Sequence, residues 1–167
     1  MRSTYTALAM AAMTAPLLLG CGAEEAVNPV VAGLPADFTG PGVYTVPADP
    51  TVPFAIAHVD VYQEGGAITV YYELPADFFA DAPQVELTGT PDDTGTFHLT
   101  GGAGTSTCTV GTTVLQCDEH LFGVQFDAAQ AKAALPPSDP RAAAVEAFLE
   151  DPIGVLRVTL PGSAETP

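Results

Sequence analysis

His58 and Glu73 form the pairing in this sequence with the most chemical content. An imidazole beside a carboxylate titrates near neutral pH and can take up and return a proton. Asp60 and Tyr71 lie two residues away on the same two segments. A hairpin joining 54–62 to 67–74 therefore sets His58, Asp60, Tyr71 and Glu73 on one face. Tyr62 extends that face, and tyrosine is enriched on recognition surfaces. The same groups also read as ordinary cross-strand pairs, each contributing only about 0.2–1 kcal/mol. His58, Asp60, Tyr62, Tyr71 and Glu73 are thus a candidate binding face, and no residue is assigned a catalytic role.

Other chemistry is sparse. Beyond residue 20 the serines are Ser106, Ser138 and Ser163, and none lies in a G-x-S-x-G elbow. Gly101-Gly102-Ala103-Gly104 lacks the Lys-Ser/Thr ending of a phosphate loop. Cys117 and His120 have C-x-x-H spacing, with Cys108 as a third zinc ligand and His98 as a distant fourth. Asp92-Asp93 and Asp118-Glu119 are only pairs, without the ligand spacing of a calcium loop. No cofactor is expected, and the balance leans away from an enzyme. The 20 acidic residues against four Lys and Arg repel nucleic-acid phosphates, which excludes that class of partner.

Short strands must position these groups. Phe54–Tyr62 and Ala67–Leu74 are rich in β-branched and aromatic residues, and Gly65-Gly66 between them is a two-residue hairpin signal. That turn sets Val61 opposite Val70 and Val59 opposite Tyr72, with Ala57, Ile68 and Leu74 on the same apolar face. His58 then opposes Glu73, Asp60 opposes Tyr71, and Tyr62 opposes Thr69. Phe54 and Ile56 are out of phase, so that end is covered or bulged. A second hairpin joins Gln84–Thr90 to Thr96–Thr100 through Pro91–Gly95, with Val85, Leu87, Phe97 and Leu99 inward. Gly101–Gly104 reads as a flexible break. Thr105–Val110 and Val114–Asp118 form a third hairpin, and Phe122, Val124 and Phe126 alternate as one more strand.

Two helices follow. Asp127 caps the first, which stops before Pro136-Pro137. Ser138 or Asp139 caps the second, with Pro140 in its first turn and Ala142, Val145, Phe148 and Leu149 as its apolar stripe. Ile153–Leu160 is a last strand. The expected class is mainly β (α+β): an antiparallel β-sandwich or partly open barrel of about 7–9 short strands, with two C-terminal helices before a last strand.

The N-terminus carries an address. Arg2 precedes an apolar run, Ala7–Leu19, which is too short to span a bilayer and is interrupted by Pro16. Leu18-Leu19-Gly20-Cys21 closes it. This arrangement resembles the signal peptide of bacterial lipoproteins. The resemblance covers residues 1–21 only, and the rest of the chain is not recognised. It implies cleavage after Gly20, diacylglyceryl transfer to the Cys21 thiol and membrane attachment through two or three acyl chains. Gly22 stands where an inner-membrane retention signal would place Asp, which points to the outer membrane, on the periplasmic or surface side.

With residues 1–20 removed, 147 of 167 residues remain, enough for one domain, and the formal charge is −17, from three cations and 20 acids. With Cys21 lipidated, Cys108 and Cys117 are left as a pair, and an exported compartment favours a disulfide between them over a zinc site. In that register Val110 opposes Leu115. The organisation is then a signal peptide (1–20), lipidated Cys21 with a tether (21–42), one β-rich domain (43–160) and a disordered tail (161–167). The expected role is a lipid-anchored binding or structural module of the bacterial cell envelope, for a protein, a glycan or a small apolar ligand. A lipocalin-like carrier of an apolar ligand is the alternative, and a small hydrolase using His58 and Glu73 comes third.

Overall fold

The computed structural model describes residues 33–79 and 81–162. The expected signal peptide, Cys21, the first part of the tether and residues 163–167 lie outside them. In chain order the elements are β1 (Phe38–Val46), β2 (Asp49–Glu64), β3 (Ala67–Glu73), β4 (Gln84–Pro91), β5 (Phe97–Gly101), β6 (Gly104–Val110) and β7 (Val114–His120). Then come α1 (Ala128–Ala134), α2 (Ala142–Glu150) and β8 (Ile153–Thr159). Each strand pairs antiparallel with the next, and β1 pairs with β8, so the sheet is a closed barrel.

Closure depends on β1, whose first residues the sequence reading assigned to the tether. Its burial alternates from Phe38 to Val46, as period 2 requires for one face against a core. One edge bonds β2, with Phe38 opposite Val61, and the other bonds β8, with Tyr44 opposite Leu156. Gly42 faces inward, where a Cβ would come 2.7 Å from Val59 Cγ2 and 3.1 Å from Leu156 Cδ1. With both edges used, the expected antiparallel barrel is fully closed, and no edge is free among the described strands.

The first hairpin has the expected register, Val61 with Val70 and Asp60 with Tyr71. Gly65 and Gly66 both have positive φ, as a type I′ turn demands. The out-of-phase Phe54 and Ile56 mark a bulge. Two steps on β1 (Gly40 to Gly42) match three on β2 (Val59 to Ile56). Ala57 and His58 are consecutively exposed, so Phe54 and Ile56 regain the inner face and Ala57 loses it. Val85, Leu87, Phe97 and Leu99 are all buried. The expected break at 101–104 is instead a two-residue turn with Gly101 opposite Gly104.

Two further expectations fail, the first for a tertiary reason and the second for a local one. Phe122–Phe126 is not a strand, because β7 already bonds β6 and β8 and offers no edge. Phe122 is 62% exposed, whereas Phe126 packs on Phe79 and Phe148 with centroids 5.4 and 5.1 Å apart. Asp127 does cap α1, accepting from the Ala129 and Gln130 N–H groups. At α2 the N-cap is Arg141, with no side-chain cap, and Asp139 instead accepts from the Arg141 N–H at 2.9 Å.

The meander places the long connections at one end. There, 74–83 and the helical segment 121–152 cover the barrel mouth with Phe78, Phe79, Phe126 and Phe148. At the opposite end, Leu34 and Leu160 are buried, and the Gln63 N–H donates to Asp37 Oδ1 at 2.7 Å. Both mouths are covered, around an interior that is mostly apolar.

Candidate functional site

Four of the five candidate residues meet in one outer groove. His58 and Asp60 come from β2, and Tyr71 and Glu73 from β3. Thr39, Ala55, Ala57 and the 74–82 connection complete a cleft of about 550 Å³. The bulge is what turns Ala57 and His58 outward together. The β2–β3 ladder ends at Val59 and Tyr72, so His58 and Glu73 share the cleft without forming a ladder pair. Tyr62 is on the same outer face, 49% exposed, but does not line the cleft. Asp77 does line it, and the sequence reading had not singled out that connection. Ala82, at the far wall, holds a φ of +41°.

The groove walls are held by their own bonds. Thr39 Oγ1 donates to Asp60 Oδ1. Gln84 Nε2 donates to Glu73 Oε1 at 3.0 Å, and the Tyr71 hydroxyl reaches the same oxygen at 3.5 Å. On the other side of Tyr71 a second cleft of about 450 Å³ runs along Gln84, Glu86, Thr88 and Thr100–Ala103. Tyr71 lines both clefts. Local desolvation, then Glu73, Asp60 and Glu86, push its phenol above the usual range. The face is therefore electronegative, and no Lys or Arg lines either cleft.

Cys108 and Cys117 are bonded to each other, with Cα atoms 4.0 Å apart, and both are wholly buried. That consumes the two thiolates that the zinc reading needed. The two histidines of that reading also point elsewhere. His98 Nε2 lies 3.1 Å from Asp92 Oδ2, and His120 packs on Phe122 at 5.1 Å and faces Asp151 at 3.8 Å. Among the described residues no group of three metal-binding side chains comes together.

The barrel interior holds a polar cluster that the sequence reading missed. Glu119, on β7, is 3% exposed, and Oε2 accepts a hydrogen bond from the Tyr72 hydroxyl of β3. Glu119 Oε1 and the Tyr44 hydroxyl are buried without a partner. Burial, with Asp118 adding repulsion, pushes the Glu119 carboxyl up to about 8, against the opposing pull of the Tyr72 bond. Burial and then Glu119 push Tyr44 and Tyr72 well above the ordinary phenol range. The strand expected from sequence ends at Asp118, one residue short of Glu119. Period 2 from an inward Cys117 would have put it inside.

No protein-family model matches the chain, and no curated protein does. Among solved structures it is similar to aphrodisin, a sex pheromone from female hamster. The TM-score is 0.36 and the identity 11%, over 81% of this chain and 78% of that one. The barrel is established by its strand pairing, and that likeness adds no functional argument.

Proposed function

We propose that this chain is a non-enzymatic binding module of the bacterial cell envelope, held by lipid on Cys21 and probed by its partner through the outer groove. The observation that carries the reading is the pair of clefts meeting at Tyr71, one walled by Asp60, Glu73 and Asp77 and the other by Glu86. A half-buried aromatic ring among carboxylates suits a protein segment that presents Lys or Arg, through charge and cation–π contact at the ring face it shows to both clefts. The strongly acidic surface gives no reason to adhere to an anionic membrane, so retention there rests on the acyl chains.

A photo-crosslinking residue in place of Ala76, in the groove, tests this in cells against one in place of Thr109, on the outer face of β6. Adducts from the first position alone support the reading, and equal or absent labelling at both removes it. The mass of the mature chain tests the anchor separately, since an unmodified Cys21 refutes it.

The carrier reading has its own support. An eight-stranded barrel is the size that either fills with side chains or holds one small ligand. The helical segment at one mouth and the unpartnered Tyr44 and Glu119 atoms beneath it favour an interior that opens. Saturable 1:1 binding of an apolar dye, abolished by Tyr44→Trp, supports it. Non-saturable binding counts against it.

A further inference from the structure

We propose that the helical segment 121–152 is a proton-controlled cap on the barrel, closed while Glu119 is neutral and released when Glu119 ionises. The proposal stands apart from the groove reading, because it concerns the interior.

Glu119 has few ways to carry charge in place. Its lateral neighbours are Ser106 on β6 and Gly154 on β8. Ser106 Oγ lies 3.3 Å from Cys108 Sγ. The Tyr44 ring lies against Gly154, occupying the place of a Cβ. Tyr72 reaches Glu119 from β3. On Glu119's own strand, Asp118 is exposed and repels it, and His120 faces Asp151. The described cations are engaged elsewhere: Lys132 with Glu146, Arg141 with Asp139, and Arg157 with Gln116. Among the described residues no positive group compensates an ionised Glu119, so it must be hydrated or given another donor.

The barrel wall resists opening there, since every strand is bonded on both edges and the disulfide lies two residues from Glu119. The cap is the weaker element. It leaves directly from the end of β7, and its helices of seven and nine residues are too short to persist alone. Its helices rest on Tyr44 of β1 through Phe148 (5.7 Å between centroids) and on the 74–83 connection through Phe148 against Phe79 (5.7 Å) and Arg141 over Phe78 (4.3 Å), while its first residues are tied to the β5–β6 turn by the Gly123 N–H donating to the Ala103 carbonyl (2.9 Å). Tyr44 joins the two regions. Its ring supports Phe148, and its uncommitted hydroxyl belongs to the polar layer of Glu119. A charged Oε1 draws that hydroxyl toward itself, and the ring leaves its place under Phe148.

The direction with pH follows from linkage. Closed, the carboxyl titrates at about 8; opened to water, it returns toward 4.5. The opening constant therefore rises roughly tenfold per pH unit between those two values and levels off above the higher one.

Hydrogen exchange of the full, disulfide-intact chain between pH 4.5 and 9.5, corrected for intrinsic rates, tests the cap. The expected result is that the Ala131, Val145 and Asp151 amides exchange faster than the β6 and β7 amides at every pH. Their protection falls roughly tenfold per unit up to about pH 8, and Glu119→Gln makes it flat. The proposal is overturned if cap protection is independent of pH, if cap and strand amides always exchange together, or if Glu119→Gln keeps the slope. Should that variant fail to fold, the ¹³C carboxyl resonance of Glu119 in the unmodified chain decides. Titration near 8 supports the cap, and titration near 4.5 overturns it.

Discussion

Replacing Glu119 by Gln should raise stability at pH 8 and leave it nearly unchanged at pH 4.5. The carboxyl titrates at about 8 in the barrel and at 4.5 when free, so between those values the folded chain holds a proton that the unfolded chain has released. Stability contributed by that proton is complete below 4.5 and is lost as pH rises through 8. Each tenfold in proton affinity is worth about 1.4 kcal/mol, so the whole window spans on the order of 5 kcal/mol. That is a large share of the roughly 5–15 kcal/mol by which a domain is stable. Opening of the cap lowers the figure, because hydration of Glu119 within a folded barrel halts the decline. Asp139 works with the opposite sign. Its bonds from Arg141 hold its carboxyl at about 2, so its contribution is complete above 3.8 and is lost as pH falls from there through about 2. The two windows do not overlap, and the optimum of these two contributions lies between them, near pH 4–4.5. Urea titrations followed by circular dichroism at half-unit steps from pH 4.5 to 9 measure the slope. A flat or rising stability over that range in the unmodified chain, or an unchanged decline in Glu119→Gln, refutes the argument.

Three further outcomes follow from the same structure. Cys108→Ser with Cys117→Ser should cost about 2–3 kcal/mol, because a bridge across nine residues restricts a short loop of the unfolded chain, and thermal melts of oxidised and double-mutant protein measure it. Gly154→Ala should destabilise by about 3 kcal/mol, since its Cβ would overlap the Tyr44 ring, and an unaltered urea midpoint would show that the ring yields freely. Tyr71→Ala should cost no more than about 1 kcal/mol while abolishing crosslinks from Ala76, which separates recognition from folding at that face.

Local signals in this chain were read correctly where their causes are local. Gly65-Gly66 dictates a type I′ turn, and the turn alone fixes the register of β2 with β3 through Val61 and Val70. Asp127 caps α1 because its carboxylate reaches N–H groups two and three residues ahead. The pairing of Cys108 with Cys117 follows from a hairpin only a few residues long. The outer groove was half visible: alternation placed Asp60, Tyr71 and Glu73 outward, but Asp77 joins them through a connection with no periodicity to read.

What the tertiary structure decided is where edges meet. Phe122, Val124 and Phe126 alternate like a strand and form none, because one edge of β7 is taken by its hairpin partner β6 and the other by β8, which arrives 33 residues after His120, at Ile153. Phe38–Gly42 has the composition of a linker and becomes the strand that closes the barrel, because β8 arrives beside it 116 residues after Gly42, at Val158. The bulge at Ala57 and His58 exists because β1 runs past β2 in that register. Glu119 has a raised proton affinity because closure of the barrel buries its carboxyl among strands distant in sequence, which outweighs the opposing Tyr72 bond. Turn geometry and side-chain period belong to neighbouring residues and can be read from sequence. Closure, burial of a charge and the cap over it arise from hydrogen bonds and desolvation between distant segments, and they exist only once the chain is folded.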